Sequence, residues 1–114
     1  MKTVILSEGT EFTYGENAQE NSQLTRSAHQ NHYWLHVNNL PSAHGILQTQ
    51  KPNKAELTEA AAIIKQHSKA KDLHRVAVDC VQAKYVKIMN NNGTAQITSQ
   101  GKNKSHQKSK TIHV

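Results

Sequence analysis

The sequence predicts an α+β fold in which a mostly antiparallel sheet packs on one central helix, residues 54–70. Two observations carry this prediction. Short strand-like runs recur along the chain between turn signals, and residues 54–70 combine a helix start signal with helical spacing of apolar side chains. A chain of 114 residues holds one hydrophobic core rather than two. Residues 1–114 are therefore predicted to form a single domain.

The chain begins with a predicted β-hairpin. Residues 2–6 and 10–14 are its two strands, and Glu8-Gly9 is the turn between them. Residues 17–28 follow as a predicted short helix, which is polar apart from Leu24 and its alanines.

The next predicted strand, residues 32–37, has a two-residue alternation. Because successive side chains of a strand point to opposite faces, it presents two different surfaces. Tyr33, Leu35 and Val37 lie on one face, and the other carries His32, Trp34 and His36. Residues 38–41 give a turn signal, and residues 43–48 are predicted to return as a strand.

The central helix has a clear predicted start. Asn53 is a suitable N-cap, and Glu56 stands three residues later, as in a capping box. One face of the helix carries Leu57, Ala60, Ala61 and Ile64. Lys65 and Lys69 are one helical turn apart, so they are predicted to share another stripe.

The last third of the chain is predicted to return to β structure. Strands are expected over residues 75–80, 84–89 and 94–98, with a tight turn over residues 90–93, and residues 111–114 form a short closing strand. Residues 99–110 are polar and basic without an apolar period, which predicts a mobile basic loop.

Cysteine content and hydropathy limit the class of protein. Cys80 is the one cysteine, so an intrachain disulfide and a cysteine-based zinc site are excluded. No apolar run approaches the roughly 20 residues that a membrane span needs. The start of the chain lacks the long apolar region of a signal peptide. These features favour a cytoplasmic protein with no membrane contact.

Positive charge is concentrated in the C-terminal third. The net charge is +6, and residues 80–114 carry six lysines and no acidic side chain. A polyanion, nucleic acid first, is the natural partner, although a solvated lysine-rich face is the competing interpretation. Phosphate contacts of this kind give binding that weakens steeply with salt. The predicted contacts are Lys65, Lys69, Lys84, Lys87, Lys102, Lys104, Lys108 and Lys110.

Catalysis and metal binding find little support in the residue pattern. The chain has eight histidines but no H-E-x-x-H, and no phosphate-cradling glycine motif, so no metal or cofactor is predicted. Ser42 and His44 have the chemistry of a nucleophile and a base, but a turn serine more often bonds to the backbone. Histidine-dependent RNA cleavage stays open as an alternative.

Trp34 and His36 share a strand face and allow two interpretations. A tryptophan can be a platform on which bases stack. A chain with so few aromatic side chains also needs its tryptophan in the core, with the indole N–H bonded locally, and this is the favoured interpretation. His36 would then be a buried hydrogen-bonding partner, whereas His44, following a turn, is expected to be accessible.

Several short motifs, taken in order, are similar to those of the NFACT RNA-binding domain family, also called NFACT-R. Residues 33–44, YWLHVNNLPSAH, resemble its W-F-H-V…P-G-S-H pattern through Trp34, His36, Val37, Pro41 and His44. The turn sequence Ser42-Ala43-His44 resembles the Ser-Ser-Ala-His form found in small stand-alone members more than it resembles the P-G-S-H form. Other matches are Gly15, Asn17 and Asn21, Glu59-Ala60-Ala61 with Ser68-Lys69-Ala70-Lys71, Val76-Ala77-Val78, Gly93, and Thr111-Ile112-His113-Val114.

The resemblance implies a non-enzymatic RNA-binding domain. NFACT proteins act in ribosome-associated quality control of translation, so tRNA or ribosomal RNA is the expected ligand, with the large ribosomal subunit as a further partner. The 41–44 turn, with Ser42 and His44, is then expected to touch a sugar or base. The alternatives are a DNA-binding module, a module that docks on the ribosome or on a protein, and, less favoured, a histidine-dependent nuclease.

Overall fold

The computed structural model describes residues 1–89, 94–98 and 109–114. Within these ranges the chain has the predicted α+β fold. Its strands are β1 (Lys2–Ile5), β2 (Glu11–Tyr14), β3 (Tyr33–Val37), β4 (Gly45–Leu47), β5 (Ala77–Gln82), β6 (Val86–Ile88), β7 (Ala95–Ile97) and β8 (Ser109–His113). Its helices are α1 (Ala18–Ser27), α2 (Lys54–Gln66) and a 3₁₀ turn over Ala83–Tyr85.

Six strands form one antiparallel sheet in the order β1-β2-β4-β3-β5-β8, and β6 and β7 form a separate antiparallel hairpin. Helix α2 packs on one face of the large sheet, and α1 packs with the β6–β7 hairpin on the other. The domain is therefore three layers thick around its central sheet. Neither of the two described α-helices is long and apolar enough to cross a membrane.

The alternation predicted for the tryptophan-containing strand is confirmed. Leu35 and Val37 are fully buried in the larger core cluster with the α2 side chains, and Tyr33 packs at its margin. Trp34 points the other way, into a smaller cluster with Leu24 of α1. One strand thus supplies apolar side chains to both layers of the core.

The predicted capping box at the start of α2 is also confirmed. The Asn53 side chain accepts from the Glu56 N–H at 2.8 Å, and the Glu56 carboxylate accepts from the Asn53 N–H at 3.0 Å. The four predicted core side chains of this helix, Leu57, Ala60, Ala61 and Ile64, are at most 3% exposed. The helix therefore starts where its cap lies and buries the face that its apolar spacing defines.

Helix α2 ends at Gln66, however, four residues before the predicted end. After His67 the backbone pairs with the 41–43 turn instead of continuing the helix. The Ala43 N–H donates to the His67 carbonyl at 3.0 Å, and the Lys69 N–H donates to the Pro41 carbonyl at 2.9 Å. The prediction that Lys65 and Lys69 share a helical stripe is therefore wrong, since Lys69 lies beyond the helix.

Three other predicted boundaries need correction. The strand predicted over residues 75–80 is β5, Ala77–Gln82. Arg75 lies outside it because its backbone is left-handed, with φ of 50°, which a strand cannot include. Lys84 lies in the 3₁₀ turn and Lys87 on β6, so they do not share a strand. β8 begins at Ser109, which puts Lys110 in a strand rather than in the predicted loop. The predicted turn over residues 90–93 and the rest of the loop, with Lys102, Lys104 and Lys108, lie outside the described residues.

Candidate nucleic-acid interface

A groove of about 670 Å³ opens at the end of the sheet where β2 finishes and β4 begins. Three separate segments of the chain form it: the entry to α1, the turn between β3 and β4, and the chain that follows α2. Its lining residues are Gly15 to Ala18 and Asn21 from the first segment, Pro41 to Ala43 from the second, and Gln66 to Lys69 with Lys71 and Asp72 from the third. Each segment contains residues of the family-like motifs identified in the sequence.

The α1 entry is tied to the β4 entry through the motif residues. Asn17 caps α1, and its side chain accepts from the Glu20 N–H at 2.9 Å. The Asn21 side chain accepts from the His44 N–H at 3.2 Å, and the Gly15 N–H donates to the His44 carbonyl at 3.1 Å. Gly15 lies so close to Asn21 that a Cβ there would come within 2.8 Å of the Asn21 backbone nitrogen. These residues therefore fix the groove wall by close packing.

The Ser42 hydroxyl holds the second wall in shape. It accepts from the Val37 N–H at 3.1 Å and donates to the Ala43 carbonyl at 2.7 Å. Ser42 also forms an isolated β-bridge with Ser68 of the third segment. This is the backbone-bonded turn serine expected from the sequence, and it is half-buried at the groove edge. Pro41 beside it is exposed and its carbonyl is bonded to the third segment.

The groove carries charges of both signs. Lys69 and Lys71 are exposed in its lining, and Lys65 is half-buried on the last turn of α2. Asp72 and Glu16 line it as well, and Glu16 accepts from the Met1 amino group at 3.0 Å. The two lining lysines, Lys69 and Lys71, therefore lie on the wall that follows α2, which also carries Asp72.

An exposed histidine ring adds an aromatic surface to that wall. His67 lines the groove, and its imidazole stacks on the phenol ring of Tyr14 with centroids 4.3 Å apart and an interplanar angle of 26°. Tyr14 is only 6% exposed. Neither His67 nor Lys71 is among the site residues predicted from the sequence. His67 directly precedes the family-like Ser68-Lys69-Ala70-Lys71 run, and Lys71 belongs to it. That proximity to a motif is the sequence signal that could have identified both residues.

Trp34, His36 and His44 form an aromatic cluster on the α1 face of the sheet. Trp34 and His36 stack with centroids 5.5 Å apart, and the His44 ring meets both edge-on at 5.4 and 5.2 Å. Trp34 is 3% exposed, as the core interpretation required. Its indole N–H is without a hydrogen-bond acceptor among the described residues, so the expected local bond is not found.

His44 is buried, which corrects the expectation that it would be accessible. It is 2% exposed, and its Nδ1 lies 2.9 Å from the Thr25 hydroxyl of α1. The docking of α1 over the β4 entry covers the ring. In this structure the His44 ring is not presented to solvent. The ring lies between Thr25 of α1 and the Trp34 and His36 rings of β3.

His36 is half-buried on the same face. Burial lowers the pKa of its imidazole, and this is opposed by a hydrogen bond involving the Val37 backbone and by the charge of Asp79. Asp79 is its cross-strand partner on β5 and accepts from the Asn38 side chain at 3.0 Å. His36 was predicted to be a buried hydrogen-bonding partner; in the structure it is only half-buried and stacks on Trp34.

Among the described residues, the other predicted lysines, Lys84, Lys87 and Lys110, are not part of the groove lining. Lys84 and Lys87, together with Arg26 of α1, line a smaller concavity of about 330 Å³ in the α1 layer. The Lys84 ammonium lies 5.4 Å from the centroid of the Tyr85 ring. Lys110 on β8 lies 6.0 Å from the centroid of Tyr33, a side chain of the α2 layer. These three lysines are thus divided between the α1 layer, with Lys84 and Lys87, and the α2 layer, with Lys110. Among the residues that the structure describes, no three histidine, cysteine, aspartate or glutamate side chains come close enough to hold a metal ion.

Comparisons with known proteins agree with these features. The model of the NFACT protein RNA binding domain matches residues 3–109. The Rqc2 homolog RqcH of Bacillus subtilis (strain 168) is 33% identical over 91 residues, which are 79% of this chain and 16% of the relative. The chain thus spans about one sixth of that relative's length.

A solved structure shares the fold. The C-terminal part of the fibronectin/fibrinogen-binding protein from Streptococcus suis matches with a TM-score of 0.86 and 24% sequence identity, over 99% of this chain and 44% of that one. At this identity the match shows the fold alone. The family match covers nearly the whole domain, including all three groove segments. The chain therefore belongs to the NFACT-R family of RNA-binding domains.

Proposed function

We propose that this domain is a non-enzymatic module that binds tRNA or ribosomal RNA, with its principal contacts at the groove between the 15–21, 41–43 and 66–72 segments. The observation that carries the proposal is the convergence of three family-like motifs on one groove, beside the lysines that follow α2. The relative's name, Rqc2 homolog, is in keeping with a setting in ribosome-associated quality control. The large ribosomal subunit is the further partner that this proposal includes.

The mechanism that fits this surface is contact with the RNA backbone. Lysine is a flexible point charge that suits phosphate oxygens better than base edges. Lys69 and Lys71 supply two such charges in the groove and Lys65 a third nearby. Lys84, Lys87, Lys110 and the lysines of residues 99–108 remain predicted contacts for other segments of a large RNA.

A salt titration of tRNA binding tests this mechanism. Each phosphate contact contributes about −0.7 to −0.9 to the slope of log K against log salt concentration. Replacing Lys69 and Lys71 together by Gln should therefore make the slope about 1.5 units shallower and weaken binding at low salt. An affinity of the unaltered domain that does not change between low and moderate salt would contradict phosphate contact altogether.

A matched variant localises the contact. Lys84→Gln with Lys87→Gln removes the same charge from the α1 layer. The groove proposal predicts a clearly larger loss of tRNA affinity for the Lys69 and Lys71 pair. Equal losses would mean that attraction is spread over the molecule and would refute the groove as the principal site. Competition with duplex DNA tests the DNA alternative, and the proposal expects tRNA to compete more strongly.

A further inference from the structure

The groove contains an aromatic ring as well as charges, and neighbouring contacts fix the position of that ring, the imidazole of His67. The imidazole of His67 is exposed and lines the groove, while the buried ring of Tyr14 covers one of its faces. The backbone of His67 is fixed as well, since its N–H donates to the Ile64 carbonyl and its carbonyl accepts from the Ala43 N–H, both at 3.0 Å. An exposed ring whose position is fixed loses little conformational entropy when another flat group stacks on it.

The charges around the ring favour a base over a run of phosphates inside the groove. Lys69 and Lys71 lie at the groove, but the carboxylates of Glu16 and Asp72 line it too. Glu16 is paired with the Met1 amino group at 3.0 Å, but the Asp72 carboxylate would repel a phosphate placed beside it. A base is neutral, and its amino groups can donate to carboxylate oxygens. The volume of about 670 Å³ lies within the range that small ligands occupy.

We propose that His67 is a stacking platform for an unpaired nucleobase of the bound RNA, with Lys69 and Lys71 holding the flanking phosphates. This rests on the proposed function and adds to it a preference for single-stranded loops or ends over continuous duplex. Unpaired bases are the part of RNA that aromatic side chains, including histidine, can reach by stacking. No base identity is read by the ring itself, so the preference is for accessibility rather than sequence.

The test compares two RNAs on the unaltered domain: a 12-nucleotide single strand and the same strand with abasic ribose at its central positions. Stacking of one base predicts at least about 5-fold tighter binding of the intact strand. His67→Ala should lower the affinity for the intact strand to that for the abasic strand, and should leave the affinity for the abasic strand unchanged. His67→Phe, which restores a flat ring, should recover the preference. A 2-aminopurine at the central position should be quenched by the unaltered domain and the Phe variant, but not by the Ala variant.

Controls separate stacking from folding and from charge. His74→Ala removes an exposed imidazole outside the groove lining and should leave the preference intact. Thermal unfolding of every variant reports whether loss of the Tyr14 stack destabilises the domain. Equal affinity of the unaltered domain for intact and abasic strands, with steep salt dependence, would overturn the stacking proposal while leaving phosphate binding in place. Binding of neither strand at low salt would overturn both.

Discussion

Replacing Gly15 by Ala should destabilise the domain and loosen the groove wall together. The new Cβ would lie 2.8 Å from the backbone nitrogen of Asn21 and 3.1 Å from its Cα, closer than side-chain carbons ordinarily approach. The Cβ would also displace Asn21 Oδ1, the atom that accepts from the His44 N–H at 3.2 Å. Backbone atoms at the start of α1 cannot turn aside as a flexible side chain can, so the helix itself must shift.

The expected loss follows from these two effects. Overpacking of a tight contact costs about 1–3 kcal/mol. Loss of the hydrogen bond between Asn21 and His44 adds about 1 kcal/mol, since the His44 N–H is left without that acceptor. The free energy of unfolding should therefore fall by about 2–4 kcal/mol.

Urea denaturation followed by the fluorescence of Trp34 measures this change, because the indole is buried in the folded domain. A double-mutant cycle with Asn21→Ala serves as the control. Removing Asn21 Oδ1 takes away part of the clash with the new Cβ. Gly15→Ala should therefore lower the free energy of unfolding by at least about 1 kcal/mol less in the Asn21→Ala background than in the unaltered domain. An unfolding free energy within about 0.5 kcal/mol of the parent would show that Gly15 and Asn21 are not packed as described.

Two further predictions concern titratable groups. The Thr10 hydroxyl and the Asn53 N–H donate to the Glu56 carboxylate and lower its pKa below the ordinary value of 4.5. These hydrogen bonds to the ionised carboxylate therefore stabilise the fold above about pH 4.5, and this stabilisation is lost as the pH falls through the pKa of the folded state. Stability measured by denaturation should therefore fall less steeply between about pH 5 and 3 in Glu56→Gln, and parallel curves would contradict this. Burial, with a smaller effect of Asp79, raises the pKa of the Cys80 thiol to about 12. A thiol reagent at pH 8 should label Cys80 only after unfolding, and rapid labelling of the folded domain would show that the thiol is accessible.

Local signals in the sequence predicted much of the fold. The alternation around Trp34 and Leu35 assigned side chains to the two core layers, because strand geometry fixes that choice once the apolar residues are known. The Asn53 and Glu56 pair predicted the start of α2, since capping involves residues three positions apart. Such contacts join near neighbours, and their chemistry is visible in the sequence itself.

Features that depend on distant contacts were not predicted. The chain after Gln66 leaves the helix to pair with residues 41–43, and nothing in the local composition of residues 67–70 excludes another helical turn. His44 is buried because α1 brings Thr25 over it, a contact between residues 19 positions apart. The stack of His67 on Tyr14 joins residues in different elements and could not be read from either segment.

The order of strands in the sheet also constrains how the chain folds. Leu35 of β3 pairs with Gly45 on one side and with Cys80 on the other, so its two neighbours lie 10 and 45 positions along the chain. The pairing of β3 with β4 can form early, whereas the pairing of β3 with β5 requires a long loop to close. Folding is therefore expected in the slower range of small domains, roughly milliseconds or longer. Until residues 77–82 arrive, β3 presents an open edge to which another unfinished chain could add a strand. Aggregation during refolding should therefore rise with protein concentration while that edge is uncovered.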